Sequence, residues 1–208
     1  MTLGSTTHNS HPHDTSHNIR LLELSEFPRM TTKPIVTVFG SARPVEGDKQ
    51  YTEAFELGKA LAAAGFVVCN GGYAGTMEAT ARGAKESGGK TIGVVSEFFS
   101  MKSNRWIDKT IVVKSLVDRL MELISLADGY VVLKGGTGTL LELASVWEFM
   151  NKSVIEEKPI IVYGNFWDGV IRTLNEELLF EGKESCTKYI SPAGSAEQAA
   201  VELRKRIR

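Results

Sequence analysis

Histidine is missing from everything after residue 17: His8, His11, His13 and His17 all fall in a polar N-terminal stretch. Acid–base chemistry in the body of the chain must therefore use carboxylates, Lys, Tyr, Cys or water. Cysteine is scarcer still, with only Cys69 and Cys186, far apart and without metal-ligand spacing. That argues against a disulfide framework and for reduced thiols in a cytoplasm. No apolar run reaches the ~18–20 residues of a membrane helix, and the N-terminus lacks the basic-then-apolar order of a secretory signal. Neither sign of charge is in excess, with 24 Lys plus Arg against 25 Asp plus Glu. The basic footprint of a general nucleic-acid binder is thus lacking.

What remains is an ordinary globular composition, 42% hydrophobic and 24% charged over 208 residues, enough for one well-cored domain. Residues 1–18 are Ser, Thr, Asn and His with almost nothing to bury, so a disordered tail is expected there, extending to about residue 30. The His-rich tract reads as a solvated tail more than as a metal site, and no metal or cofactor is expected.

From Pro34 onward, short β-branched runs alternate with helical stretches. Strands are expected at Ile35–Phe39, Phe66–Cys69, Thr91–Val95, Thr110–Val113, Tyr130–Leu133 and Pro159–Tyr163. Between and after them, helices are expected at Lys49–Ala64, Gly75–Ser87, from the N-cap Ser115 to Leu126, Thr139–Met150, Phe166–Leu179 with Asn165 as cap, and Ala196–Ile207. Alternation on this scale implies right-handed βαβ units. The fold class is α/β: a single Rossmann-like domain over 31–208 with a doubly wound, mainly parallel sheet. Ligands of such sheets bind beyond the carboxyl ends of the strands.

Three strand-end loops there are glycine-rich. The first is Gly40-Ser41 after the first strand. The second is Gly71-Gly72-Tyr73-Ala74-Gly75-Thr76-Met77, and the third Gly135-Gly136-Thr137-Gly138-Thr139. The last two both carry a glycine pair and then Gly-Thr opening a helix, a device for holding an anion on free N–H groups. Tight βα turns are the plain alternative. Gly89-Lys90-Thr91 resembles the end of a P-loop but enters a strand, and no G-x-G-x-x-G follows Gly136, so NAD is not indicated.

Two charged residues stand close to these loops. Thr139-x-x-Glu142 has the spacing of a capping box, which would occupy the carboxylate at a helix end. Arg119, among Leu116, Leu120 and Leu123, has the default reading of a surface arginine. Spacing alone singles out neither.

The third loop with Glu142, preceded by Arg119 and Ala127-Asp128, resembles the LOG ("lonely guy") family signature P-G-G-x-G-T-x-x-E with its upstream arginine. Val38-Phe39-Gly40-Ser41 and the second loop with Gly83-Ala84 are similar to the family's first two loops, so the resemblance spans about Ile35 to Asp168. It implies a phosphoribohydrolase that splits a nucleoside 5′-monophosphate into base and ribose 5-phosphate. It also implies Gly135, Gly136, Thr137, Gly138 and Thr139 around the 5′-phosphate, and Arg119 and Glu142 as the catalytic pair. Gly40, Ser41, Gly71, Gly72, Gly75, Thr76 and Met77 would line the rest of the substrate site, in a homodimer with the helices of Arg119 and Thr139 near its interface. The label "lysine decarboxylase" that relatives carry would need pyridoxal phosphate, for which no feature here argues.

Two departures qualify the match. The family's M-H-x-R-K is here Leu116-Val117-Asp118-Arg119-Leu120, and Lys134 replaces the proline before the glycine pair. The resembling superfamily also contains non-catalytic carriers of molybdenum cofactor, so a binding protein for a phosphorylated, nucleotide-like ligand stays open as the alternative. Trp147, Phe149 and Met150 are the sequence's own hint of an interface, but they read as core residues more than as interface.

Overall fold

Seven strands form one sheet in the order β4-β3-β2-β1-β5-β6-β7, and every neighbouring pair is parallel. The structure is a computed structural model that describes residues 31–99 and 102–207; the expected tail over 1–30 lies outside the described residues. The strands are β1 Ile35–Phe39, β2 Val67–Asn70, β3 Thr91–Ser96, β4 Lys109–Val113, β5 Gly129–Val132, β6 Ile160–Tyr163 and β7 Ile190–Ala193. The helices are α1 Lys49–Ala63, α2 Thr76–Glu86, α3 Leu116–Ser125, α4 Thr137–Asn151, α5 Asp168–Phe180 and α6 Ala196–Arg206. The described residues form a single Rossmann-like α/β domain.

Side-chain alternation along the strands explains the two layers of helices. In β1, Val36 and Val38 join Leu57, Leu61 and Leu203 from α1 and α6 on one face of the sheet. Ile35 and Phe39 join Leu123, Leu143 and Trp147 from α3 and α4 on the other. A strand covered on both faces has no polar side to show, so all residues of β1, β2, β3 and β5 are buried. Each large apolar side chain buried this way contributes about 1.5–3 kcal/mol.

Local chemistry sets the start of α3. Ser115 Oγ accepts from the Asp118 N–H and Asp118 Oδ2 accepts from the Ser115 N–H, both at 3.0 Å, closing a full capping box. That turn carries Arg119.

Three expectations need correction. α4 begins at Thr137, with Gly136 as N-cap and no side chain capping it, so the Thr139–Glu142 capping box does not exist. α5 begins at Asp168 rather than Phe166, and Asn165 does not cap it. The Trp167 indole is buried and donates to the Leu133 carbonyl at 3.0 Å, which holds this stretch out of the helix. Finally, β7 carries Pro192 and is only partly buried, so its sequence lacks a strand signal; an edge strand tolerates proline. Trp147 and Met150 are core, and the Trp147 indole donates to the Cys186 carbonyl at 2.8 Å.

Candidate active site

The chain moves outward from β1 through β2 and β3 to β4, then returns to β5 on the other flank of β1. The loops after β1 and β5 part at this reversal, the place where ligands of such sheets bind. Gly40-Ser41 follows β1, and the segment from Leu133 to Gly136 follows β5.

The second glycine loop is used up in packing against the first. The Thr76 N–H and hydroxyl donate to the Ser41 carbonyl at 2.9 and 3.1 Å. Gly75 has φ +73°, and a Cβ there would lie 2.3 Å from the Ser41 carbonyl oxygen. A Cβ on Gly40 would lie 2.4 Å from Thr76 Oγ1. Asn70 completes the closure: its Oδ1 accepts from the Gly72 N–H at 2.8 Å, and its amide donates to the Met77 carbonyl and Thr80 Oγ1. Thr76 and Met77 are buried. The start of α2 is therefore not the open anion cradle its sequence suggests.

The third loop is open. Thr137 and Gly138 are exposed, and a Cβ on Gly136 or Gly138 would meet nothing within 4 Å. The first N–H groups of α4 have no intrahelical acceptor and carry the positive end of the helix dipole. Thr139 is buried beneath the loop, so close to Gly135 that a Cβ on Gly135 would lie 2.1 Å from its Oγ1. Lys134 is exposed, its ammonium 5.2 Å from the Phe166 ring centroid. The two loops should respond oppositely to one methyl group. Gly75→Ala is expected to lower stability by ~1–3 kcal/mol through strain and overlap. Gly136→Ala, with φ −95° and free space, should stay within about 0.5 kcal/mol in a thermal melt.

Arg119 lies near enough to Glu142, on the helix this loop opens, for its charge to act on the carboxyl. The Arg119 Nε–H donates to the Val94 carbonyl at 2.9 Å, one Nη lies 3.7 Å from the Met77 sulfur, and the guanidinium carbon sits 5.3 Å from the Tyr73 ring centroid. A Cβ on Gly71 would lie 1.5 Å from an Arg119 nitrogen, so only glycine leaves room for the side chain. Arg119 is thus no ordinary surface arginine. Glu142 is half-buried and has neither a hydrogen bond nor an ion pair among the described residues. Burial pushes its carboxyl up to about 7, against the opposing pull of the Arg119 charge. By contrast, burial pushes the Cys69 thiol up to about 12, which leaves it protonated and unreactive.

Sequence reasoning misses Tyr73 and the Val94 carbonyl, both of which touch Arg119. A backbone carbonyl has no sequence signature, and the only sign of Tyr73 is a large aromatic inside a glycine loop. Among the described residues, no helix is long and apolar enough to cross a membrane, and no group of three His, Cys, Asp or Glu could hold a metal.

The chain is 30% identical over 173 residues to a cytokinin riboside 5′-monophosphate phosphoribohydrolase of Mycobacterium tuberculosis, covering 80% of this chain and 87% of that one. It is 27% identical to a protein of the same name from Rhodococcoides fascians, covering 78% and 81%. Among solved structures it is similar to the molybdenum cofactor binding protein of the phototrophic bacterium Rippkaea orientalis. That match has 26% identity and a TM-score of 0.64, and covers 83% of this chain and 96% of that one. The profile of the SLOG cluster4 family matches residues 33–198, and the chain belongs to that family.

Proposed function

We propose that this protein is a phosphoribohydrolase that cleaves the N-glycosidic bond of a nucleoside 5′-monophosphate, releasing free base and ribose 5-phosphate. One observation carries the reading: Glu142 is a half-buried carboxylate, free of any cap, set five residues inside the open start of α4. Five residues of helix rise about 7.5 Å, and helical side chains lean back toward the N-terminus. A phosphate held at Gly136, Thr137 and Gly138 would then place its ribose beside the carboxylate.

In the reaction, the bond from the anomeric carbon to the base nitrogen breaks and its electron pair leaves with the base. The ribose acquires oxocarbenium character, water adds at the anomeric carbon, and the proton that water gives up ends on the departing base nitrogen. Ionised Glu142 stabilises that positive charge or takes a proton from the attacking water. Arg119 holds phosphate or ribose oxygens, and its charge favours the ionised form of Glu142. Gly135 and Thr139 shape the phosphate loop. Gly40 and Ser41 would border the substrate site, with Gly71, Gly72, Gly75, Thr76 and Met77 packed behind them and Met77 and Gly71 against Arg119 itself. Lys134 adds a cation beside the phosphate position where the LOG-like signature has proline.

A carrier of a phosphorylated, nucleotide-like ligand is the second reading, favoured by the likeness to a molybdenum cofactor binding protein. The carboxylate argues against it, because an anion next to a bound phosphate weakens binding unless positive charge develops there. Incubation with a panel of nucleoside monophosphates, followed by chromatography for free base, separates the two readings. Binding without release of base favours the carrier.

The active form needs ionised Glu142, so kcat/KM is expected to rise with pH through about 7 and then level off. Bound phosphate adds negative charge, so the limb in kcat should lie higher than that in kcat/KM. A flat profile from pH 5 to 9 would remove Glu142 from the chemistry.

We further propose a homodimer in a reducing cytoplasm. Leu116 and Val117 on α3 and Leu140 and Leu141 on α4 are exposed on the turns that carry Arg119 and Glu142. Both cysteines are free and buried. Light scattering at micromolar concentration should give twice the chain mass; a monomer rejects the assembly.

A further inference from the structure

Arg119 is long: its Nε–H donates to the Val94 carbonyl at 2.9 Å, and one Nη makes a weaker contact with the Met77 sulfur at 3.7 Å. The guanidinium also lies over a ring. Tyr73 lies with its centroid 5.3 Å from the Arg119 guanidinium carbon, within the range of a cation–π contact. The ring itself is held from three sides. Its hydroxyl donates to the Ser96 carbonyl at 3.2 Å and accepts from the Ser96 N–H at 2.9 Å, at the end of β3. Its backbone carbonyl accepts from the Asn104 amide at 2.8 Å, and Phe99 meets it edge-on with centroids 5.4 Å apart. Tyr73 is buried. Val94 and Ser96 lie on the same strand, so β3 holds the Arg119 Nε–H directly and its guanidinium face through Tyr73.

We infer that Tyr73 is a positioning residue that locks the Arg119 guanidinium in its working orientation; its effect on turnover rests on the phosphoribohydrolase reading. Two variants separate support of Arg119 from simple packing. Tyr73→Leu keeps an apolar side chain but removes the π-face, and Tyr73→Phe keeps the face but removes the hydroxyl anchors.

In Tyr73→Leu, kcat should fall about tenfold or more, with a smaller change in KM, as expected when orientation is lost and binding is not. Tyr73→Phe should recover most of that loss, although its melting temperature drops because the Ser96 backbone groups lose their partner. A second readout needs no turnover. In spectra of ¹⁵N-arginine-labelled protein, the hydrogen-bonded Nε–H of Arg119 should exchange slowly in the wild type, about tenfold faster in Tyr73→Leu, and near the wild-type rate in Tyr73→Phe.

Wild-type kcat and Nε–H exchange in a folded Tyr73→Leu protein would overturn the assignment. So would a Phe variant as impaired in kcat as the Leu variant. Should the wild type release base from no nucleotide, the functional reading fails, and the exchange rates alone still decide what Tyr73 does for Arg119.

Discussion

Glu142→Gln is expected to lower turnover by about a hundredfold or more, a loss of at least ~2.7 kcal/mol of transition-state stabilisation. Nucleotide binding should be retained or tighten, because glutamine presents no negative charge to the phosphate. The variant is also informative about stability. The Glu142 carboxyl, pushed up to about 7 by burial, lies above its ordinary value near 4.5. Between those pH values the unfolded chain releases its proton first, so this group's contribution to stability falls as pH rises from about 4.5 to 7. Glutamine cannot titrate, so that part of the fall should be missing from melts of the variant. A helix-cap glutamate would give the opposite pattern, with turnover untouched by a residue that fills the same cap.

Arg119→Ala should rival that loss in turnover, about a hundredfold, and add weaker binding if the guanidinium holds phosphate. It should also raise the pH at which activity appears, since Glu142 loses the positive charge that favours its ionised form. Arg119→Lys is expected to rescue poorly. An ammonium has no Nε–H for the Val94 carbonyl and no planar face for Tyr73. Steady-state kinetics at pH 7 and 9 for the three proteins measures both effects. Equal activity of Arg119→Lys and wild type would argue that point charge alone suffices.

The sheet is legible in the sequence because its central strands are covered on both faces and read as unbroken apolar runs. β7 is not, since Ile190-Ser191-Pro192-Ala193 sits at an edge where tertiary contacts and not composition decide its state. The Ser115–Asp118 cap is legible because a capping box is local chemistry. The same local rule misleads at Thr139–Glu142. There the glycines let the helix start two residues earlier, at Thr137, which buries Thr139 under Gly135 and moves Glu142 into the second turn. Likewise, the second and third glycine loops look alike in sequence. What separates them is the Ser41 carbonyl, thirty-five residues before Thr76, which takes the hydrogen bonds that an anion would need.

The central claim is that Glu142 and Arg119 at the open end of α4 cleave a glycosidic bond. Its most direct test is a single-turnover reaction, with enzyme in excess over a nucleoside 5′-monophosphate selected by the panel, comparing wild type with Glu142→Gln. The account predicts that the wild type converts the bound nucleotide to equal amounts of free base and ribose 5-phosphate, while Glu142→Gln binds it and releases base at least about a hundred times more slowly. Equal rates for the two proteins, or nucleotide that stays intact on the wild type, would contradict it.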